Sequence, residues 1–179
     1  MNEPGVGEVK QSEVGSLADR FLKACARRKV LAATAESCTG GLIIAAMTDI
    51  PGSSSMVDRG FVTYSNDAKM EMLCVSAPTL DVFGAVSAQT AQEMAEGALA
   101  RSHAGIALAV TGIAGPDGGS AEKPVGLVWF GLAVAGRTTI TEKRVFENRG
   151  RDFIRRETVK HALVMGLAAL GDQSGPDLP

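Results

Sequence analysis

Val30-Leu-Ala-Ala-Thr-Ala-Glu-Ser-Cys-Thr-Gly-Gly-Leu-Ile-Ile-Ala-Ala-Met47 reads as a strand, a tight turn and a helix in succession. Val30 to Ala35 has almost no polar interruption, the pattern of a strand buried on both faces, and Leu42 to Met47 runs on as a helix after two glycines. Units of this kind build α/β domains, whose ligands sit in the crevice beyond the strand ends. The turn puts the Ser37 hydroxyl and the Cys38 thiol at that point. The backbone N–H groups of a helix start, with Thr39, Gly40 and Gly41 in the turn, suit a phosphate or an oxyanion. The same residue types also make an ordinary capped turn, so the choice between the two rests on the rest of the chain.

Working outward, Leu17, Phe21, Leu22 and Cys25 recur at helical spacing and predict a helix from about Ser16 to Arg28 ahead of that strand. Beyond it, the turn Pro51 to Ser55 leads to a second predicted strand, Gly60 to Tyr64, and a short helix from Asp67 to Leu73. Ser87 caps a predicted helix from Ala88 to Arg101, which feeds the apolar strand Ile106 to Val110. A glycine-rich loop, Gly112 to Ser120, precedes a long strand from Val125 to Ala135, and a turn at Gly136-Arg137 predicts a hairpin with Thr138 to Phe146. The last helix is expected from Arg151-Asp152 to about Leu170. Strands separated by helices, plus one hairpin, imply a three-layer α/β/α domain around a mixed sheet of about five strands. That domain is expected over residues 15–171, with flexible segments at 1–14 and 172–179 where Gly, Pro, Ser and acidic residues gather.

The 179 residues, 45% of them hydrophobic, suffice for one domain with a sizeable core. A formal net charge of −2 gives no basic footprint for nucleic acid, which leaves a small molecule as the expected partner. Cys25, Cys38 and Cys74 form neither a disulfide framework nor a zinc-ligand spacing, so no metal is expected and a reducing cytoplasm is. The first residues lack a cationic start followed by an apolar core, and no apolar run approaches the ~20 residues that cross a bilayer, so no membrane partner is expected.

Only two histidines are present, His103 and His161, and neither falls at a strand end in a Gly-rich turn. A Ser-His-Asp triad is therefore disfavoured, and lysine is the remaining common partner of a serine nucleophile. Lys69 lies just past the strand end in Thr63-Tyr-Ser-Asn-Asp-Ala-Lys69. To act as a base it must be neutral, and lowering its pKa from ~10.4 to ~7.5 takes roughly 4 kcal/mol of differential stabilisation, which partial burial can supply. Tyr64, the one tyrosine, offers a phenol that relays a proton or orients the amine, set against a plain role at the sheet rim. Cys38 ranks below Ser37 because no histidine is placed to generate its thiolate. Thr111, Gly112 and Gly115 belong to a loop whose N–H groups suit negative oxygens, and of the cluster Arg149, Arg151, Arg155 and Arg156 at least one guanidinium suits a phosphate or carboxylate clamp. Glu36 reads as a structural carboxylate that holds Lys69 or the turn.

Thr34-Ala-Glu-Ser-Cys-Thr-Gly-Gly41, Gly60-Phe-Val-Thr-Tyr-Ser-Asn66 with Lys69, Gly84-Ala-Val-Ser87, Thr111-Gly-Ile-Ala-Gly-Pro-Asp-Gly-Gly-Ser120 and Lys123-Pro-Val-Gly126 together resemble the CinA C-terminal domain family, over about residues 15 to 170. The resemblance implies a nicotinamide-nucleotide amidase of pyridine-nucleotide salvage. Such an enzyme converts nicotinamide mononucleotide to nicotinic acid mononucleotide and ammonia, with no metal or organic cofactor, commonly as a homodimer. Its serine maps onto Ser37, its lysine onto Lys69 and its tyrosine onto Tyr64. Many relatives carry an additional N-terminal domain, similar to molybdopterin-binding folds, that has no counterpart here. The family's Gly-Asp-Arg segment is replaced by Asn148-Arg-Gly-Arg-Asp152, which keeps both Arg151 and Arg155 as substrate-binding candidates. The alternative expectation is a non-catalytic nucleotide-binding or partner-binding module linked to competence or DNA damage.

Overall fold

The structure, a computed structural model, describes residues 12–172. Helix α1 (Glu13–Arg28) leads into β1 (Ala32–Glu36) and α2 (Leu42–Thr48). A short 3-10 turn (Ser53–Ser55) precedes β2 (Val57–Val62), which is followed by α3 (Asn66–Leu73), α4 (Ala77–Phe83) and α5 (Ala88–Ala100). The chain then forms β3 (Ile106–Gly112), β4 (Leu127–Val134), β5 (Ile140–Val145) and α6 (Arg151–Ala169). The five strands make one mixed sheet in the order β2-β1-β3-β4-β5. β1 is parallel to β2 and β3, and β4 is antiparallel to β3 and β5. This is the three-layer arrangement expected from the sequence.

The two faces of the sheet are built differently. Ala32, Ile106, Leu108, Val110, Val128, Phe130 and Leu132 face a layer of α1, α2 and α6, where Phe21, Met47, Ile154 and Leu163 complete the larger core. The opposite face presents Ala33, Ala35, Ala107, Ala109 and Ala133 to α3, α4 and α5. Alanine is a weak strand former, and β1 is a strand because it lies between two partners with every residue buried. The short side chains let α5 lie close to the sheet with its own Ala91, Ala95 and Ala98 fully buried. Gly131 in β4 completes that approach, since a Cβ built there meets the Ala91 carbonyl.

Several boundaries differ from the sequence expectation. Helix α1 starts at Glu13 rather than Ser16 because the Ser12 hydroxyl accepts from Gly15 N and caps it. Strand β2 runs from Val57, not Gly60, since the ladder with β1 begins at Ala32 opposite Val57. Helix α4 was not expected. Its signals are the Ser76 cap and a proline in its first turn, and Glu93 of α5 pins that end by accepting from Ser76 N at 2.6 Å. The terminal segments read as flexible lie outside the described residues except for 12–14 and Asp172. Asp172 is ion-paired to Arg27 at 2.9 Å.

β1 sends its crossover to β2 through α2 on one face, and β2 sends its crossover to β3 through α3, α4 and α5 on the other. The strand order reverses at β1, which opens a crevice beyond the carboxyl ends of β1 and β3. Replacing Gly131 by Ala tests the close helix–sheet contact. Thermal unfolding should show a loss of roughly 1–3 kcal/mol, because the added methyl meets backbone rather than a side chain that can turn away.

Candidate active site

Glu36, the last residue of β1, is fully buried and accepts five hydrogen bonds. Its Oε1 accepts from Thr34 Oγ1 at 3.1 Å and Ile44 N at 2.8 Å. Its Oε2 accepts from Thr39 Oγ1 at 2.7 Å, Gly41 N at 3.0 Å and Ile43 N at 3.0 Å. The carboxylate thus takes the place of an N-cap side chain for α2, whose own N-cap, Gly41, has none, and it sets negative charge against the positive end of the helix. Gly40 and Gly41 both have positive φ, which lets the chain reverse around the carboxylate.

This corrects the expectation that the start of α2 is open to an anion. The N–H groups of Gly41, Ile43 and Ile44 belong to Glu36, and the Thr39 hydroxyl is buried against it rather than facing a ligand. Two amides of the turn face the Cys38 sulfur instead of an oxygen. Among the described residues no oxygen accepts from the N–H of Cys38 or of Thr39, whereas Ser37 N donates to Val110 O at 3.0 Å and Gly40 N to Ser37 O at 3.1 Å.

Ser37 stands at the strand end with its hydroxyl 3.1 Å from the Lys69 amine. Lys69 comes from the first turn of α3, and only 1% of its surface is exposed. Its Nζ donates to Thr63 O at 2.8 Å and reaches Tyr64 O at 3.4 Å and Ser65 O at 3.5 Å. Burial holds the amine below the ordinary lysine range, and among the described residues no carboxylate forms an ion pair with it. In its neutral form the amine has two hydrogens to share among these three carbonyls and one lone pair for the Ser37 O–H.

Ser37, Cys38, Tyr64, Lys69, Ala85, Val86, Thr111, Gly112, Ala114 and Arg151 line one cleft of about 200 Å³. Sequence reasoning named most of its polar wall but gave no role to Ala85, Val86 and Ala114. Ala85 is fixed by Thr111, whose hydroxyl donates to its carbonyl at 2.7 Å. The Tyr64 phenol does not touch the amine. It is 64% exposed and lies 3.4 Å from Arg151 Nη2, so the backbone carbonyl of Tyr64, not its ring, faces Lys69.

The two arginine candidates separate. Arg151 lines the cleft and donates to Gly115 O at 2.8 Å, which ties the glycine loop to the start of α6. Arg155 donates to Thr39 O at 2.7 Å and braces the serine turn from behind. Gly115 contributes that carbonyl, not a cleft surface. Cys38 faces the cleft, but burial pushes its thiol up to about 12, which keeps it protonated and unsuited to attack. The exposed His103 sits by Asp58 at the opposite end of the sheet. His161 is buried between Phe130 and Glu142, so neither histidine joins Ser37.

Fold and site together define a doubly wound α/β protein with a serine hydroxyl and a buried lysine amine paired at its switch-point cleft. The CinA C-terminal domain model matches residues 14–170, and the chain belongs to that family. It is similar to a nicotinamide-nucleotide amidohydrolase, PncC, of Enterobacter agglomerans, with 55% identity over 133 residues that cover 74% of this chain and 80% of that one. It is 57% identical over 133 residues to a putative competence-damage inducible protein of Acetivibrio thermocellus, covering 74% of this chain but spanning only 32% of that relative's length. A crystal structure of the competence/damage inducible protein CihA from Agrobacterium tumefaciens superposes with a TM-score of 0.86 at 52% identity, covering 89% of this chain and 96% of that one.

Glu36→Ala should lower stability by roughly 3–5 kcal/mol, since it strands buried donors that have no other acceptor. Glu36→Gln, which keeps one carbonyl oxygen, should fall between that variant and the wild type in thermal unfolding.

Proposed function

We propose that the chain hydrolyses the carboxamide of nicotinamide mononucleotide to nicotinic acid mononucleotide and ammonia, with Ser37 as nucleophile and Lys69 as base. The observation that carries this reading is the 3.1 Å contact between Ser37 Oγ and a buried lysine amine that has no carboxylate partner among the described residues. Pure binding needs no such pair, and nucleophilic acyl transfer does. The relative named for this activity shares 55% identity over most of both chains.

In the proposed sequence the neutral Lys69 takes the Ser37 proton as Oγ adds to the carboxamide carbon. The amides of Cys38 and Thr39, from which no oxygen accepts among the described residues, receive the oxyanion. The lysine then protonates the departing nitrogen and ammonia leaves. Water, deprotonated by the same amine, adds to the acyl-enzyme, and collapse returns the proton to Ser37.

The cleft of about 200 Å³ is small beside typical ligand pockets of roughly 300–1,000 Å³. It suits the pyridine carboxamide, with the ribose phosphate at the mouth. There Arg151 keeps further N–H donors beyond those on Gly115 and Tyr64, and the Tyr64 ring forms the rim beside it. Thr111 and Gly112 shape the floor, and Arg155 acts through the turn it braces. The family resemblance extends the proposal to residues 15–171 as the catalytic unit of a homodimeric, cytoplasmic enzyme.

Ammonia release from nicotinamide mononucleotide, nicotinamide and glutamine by the purified chain separates a nucleotide amidase from a free-base amidase and from a binding module. Only the nucleotide should yield ammonia, and Ser37→Ala should abolish release while retaining nucleotide binding. Because burial lowers the lysine pKa and the neutral amine is the active form, kcat/KM should rise with pH to a plateau reached below the ordinary lysine range. Full activity in Ser37→Ala would rule out the covalent route.

A further inference from the structure

Resting on the amidase reading, we infer that Lys123 is a positioning residue for the substrate cleft. Its amine fastens the wall formed by Ala85 and Val86 to the end of the glycine loop, and so keeps the cleft in shape for a flat pyridine ring. The starting point is a pair of stretches, Gly84-Ala-Val-Ser87 and Lys123-Pro-Val-Gly126, that the chemistry at Ser37 and Lys69 does not call on. The fold brings them together: Lys123 Nζ donates to Phe83 O at 2.8 Å, across 40 residues of chain.

Phe83 is the last residue of α4, and residues 84–87, between α4 and α5, are neither helix nor strand. Such a segment has no ladder to hold it, and side chains do so instead. Phe83 O accepts from Lys123 Nζ, Gly84 O from Ser87 Oγ at 3.0 Å and Thr90 Oγ1 at 2.8 Å, and Ala85 O from Thr111 Oγ1 at 2.7 Å. Successive carbonyls are thus held from the glycine loop, from the start of α5 and from the end of β3. Ala85 and Val86 line the cleft together with Ser37 and Lys69.

Lys123 is suited to that task. Among the described residues no carboxylate pairs with it, and a carbonyl at a helix C-terminus is a favoured acceptor for a cation. Gly84 leaves room for the amine, since a Cβ built there comes within 3.3 Å of Nζ. The base of the side chain is fixed as well. Ser120 N donates to Lys123 O at 2.8 Å and Lys123 N to Ser120 Oγ at 3.0 Å, while Gly126 N donates to Ile113 O at 2.8 Å. Nearer the start of the loop, Arg151 holds Gly115 O. The wall carries apolar surface, Ala85 and Val86 with Ala114, which packs against an aromatic ring equally before and during reaction. Loosening it removes uniform binding, which appears in KM rather than kcat.

Lys123→Met removes the charge and keeps the length of the side chain, and Lys123→Arg keeps a charged donor. Both are tested by steady-state hydrolysis of nicotinamide mononucleotide and by amide hydrogen exchange in peptides covering residues 84–87. In Lys123→Met, KM should rise about fivefold with kcat within about twofold of wild type. Exchange over 84–87 should speed up while that of β3 and β4 does not. Lys123→Arg should restore both. The proposal is overturned by an unchanged KM in Lys123→Met, by a fall in kcat alone, or by Lys123→Arg behaving like Lys123→Met. It is also overturned by a higher KM with unchanged exchange, which would put the amine on the substrate itself. No ammonia from the wild-type protein would instead remove the amidase reading, and the exchange comparison would still decide whether Lys123 holds the wall.

Discussion

The Glu36 carboxylate is the constraint on which the reactive end of the sheet depends. Five donors converge on it, and three of them are backbone amides that would otherwise begin α2 without partners. A buried carboxylate is tolerated only when its lone pairs are filled, and here they are filled by the turn that carries Ser37. The geometry of Ser37 is therefore set by a residue that need not touch substrate. The same arrangement occupies the amides of the helix start and leaves those of Cys38 and Thr39 as the proposed oxyanion donors.

Lys69 is the complementary element. It is buried among carbonyls at the start of α3, where the lack of solvent opposes a charged amine. The hydrogen bonds to Thr63 O and Tyr64 O orient it toward Ser37 without adding a counter-charge. A carboxylate at that position would hold the proton on the amine and remove the base. Alanine-rich strands and Gly131 bring the second helical layer close to the sheet, and α3 belongs to that layer.

Much of this was legible in the sequence, for physical reasons that differ by residue. Ser37 ends an apolar strand and Lys69 opens the helix after β2, so both places could be read, and the poor placement of the two histidines leaves lysine as the expected base. The role of Glu36 was half legible, since its burial was guessable but its five donors depend on where α2 begins. Helix α4 was not, because seven residues carry too little periodicity and its short cap signals are common in loops. The direction of the Tyr64 side chain was not legible for a related reason. At a strand exit the backbone carbonyl and the ring point in different directions, and only the three-dimensional path assigns the first to Lys69 and the second to Arg151.

The central claim is that burial in the folded protein holds the Lys69 amine below the ordinary lysine range, where it can accept the Ser37 proton. Its most direct test is the NMR titration of the Lys69 side chain, followed through its Cε and Nζ shifts in protein labelled at lysine and assigned with Lys69→Arg. The account predicts a midpoint displaced downward from the ordinary lysine value of ~10.4. A midpoint equal to that value, or above it, would contradict the account.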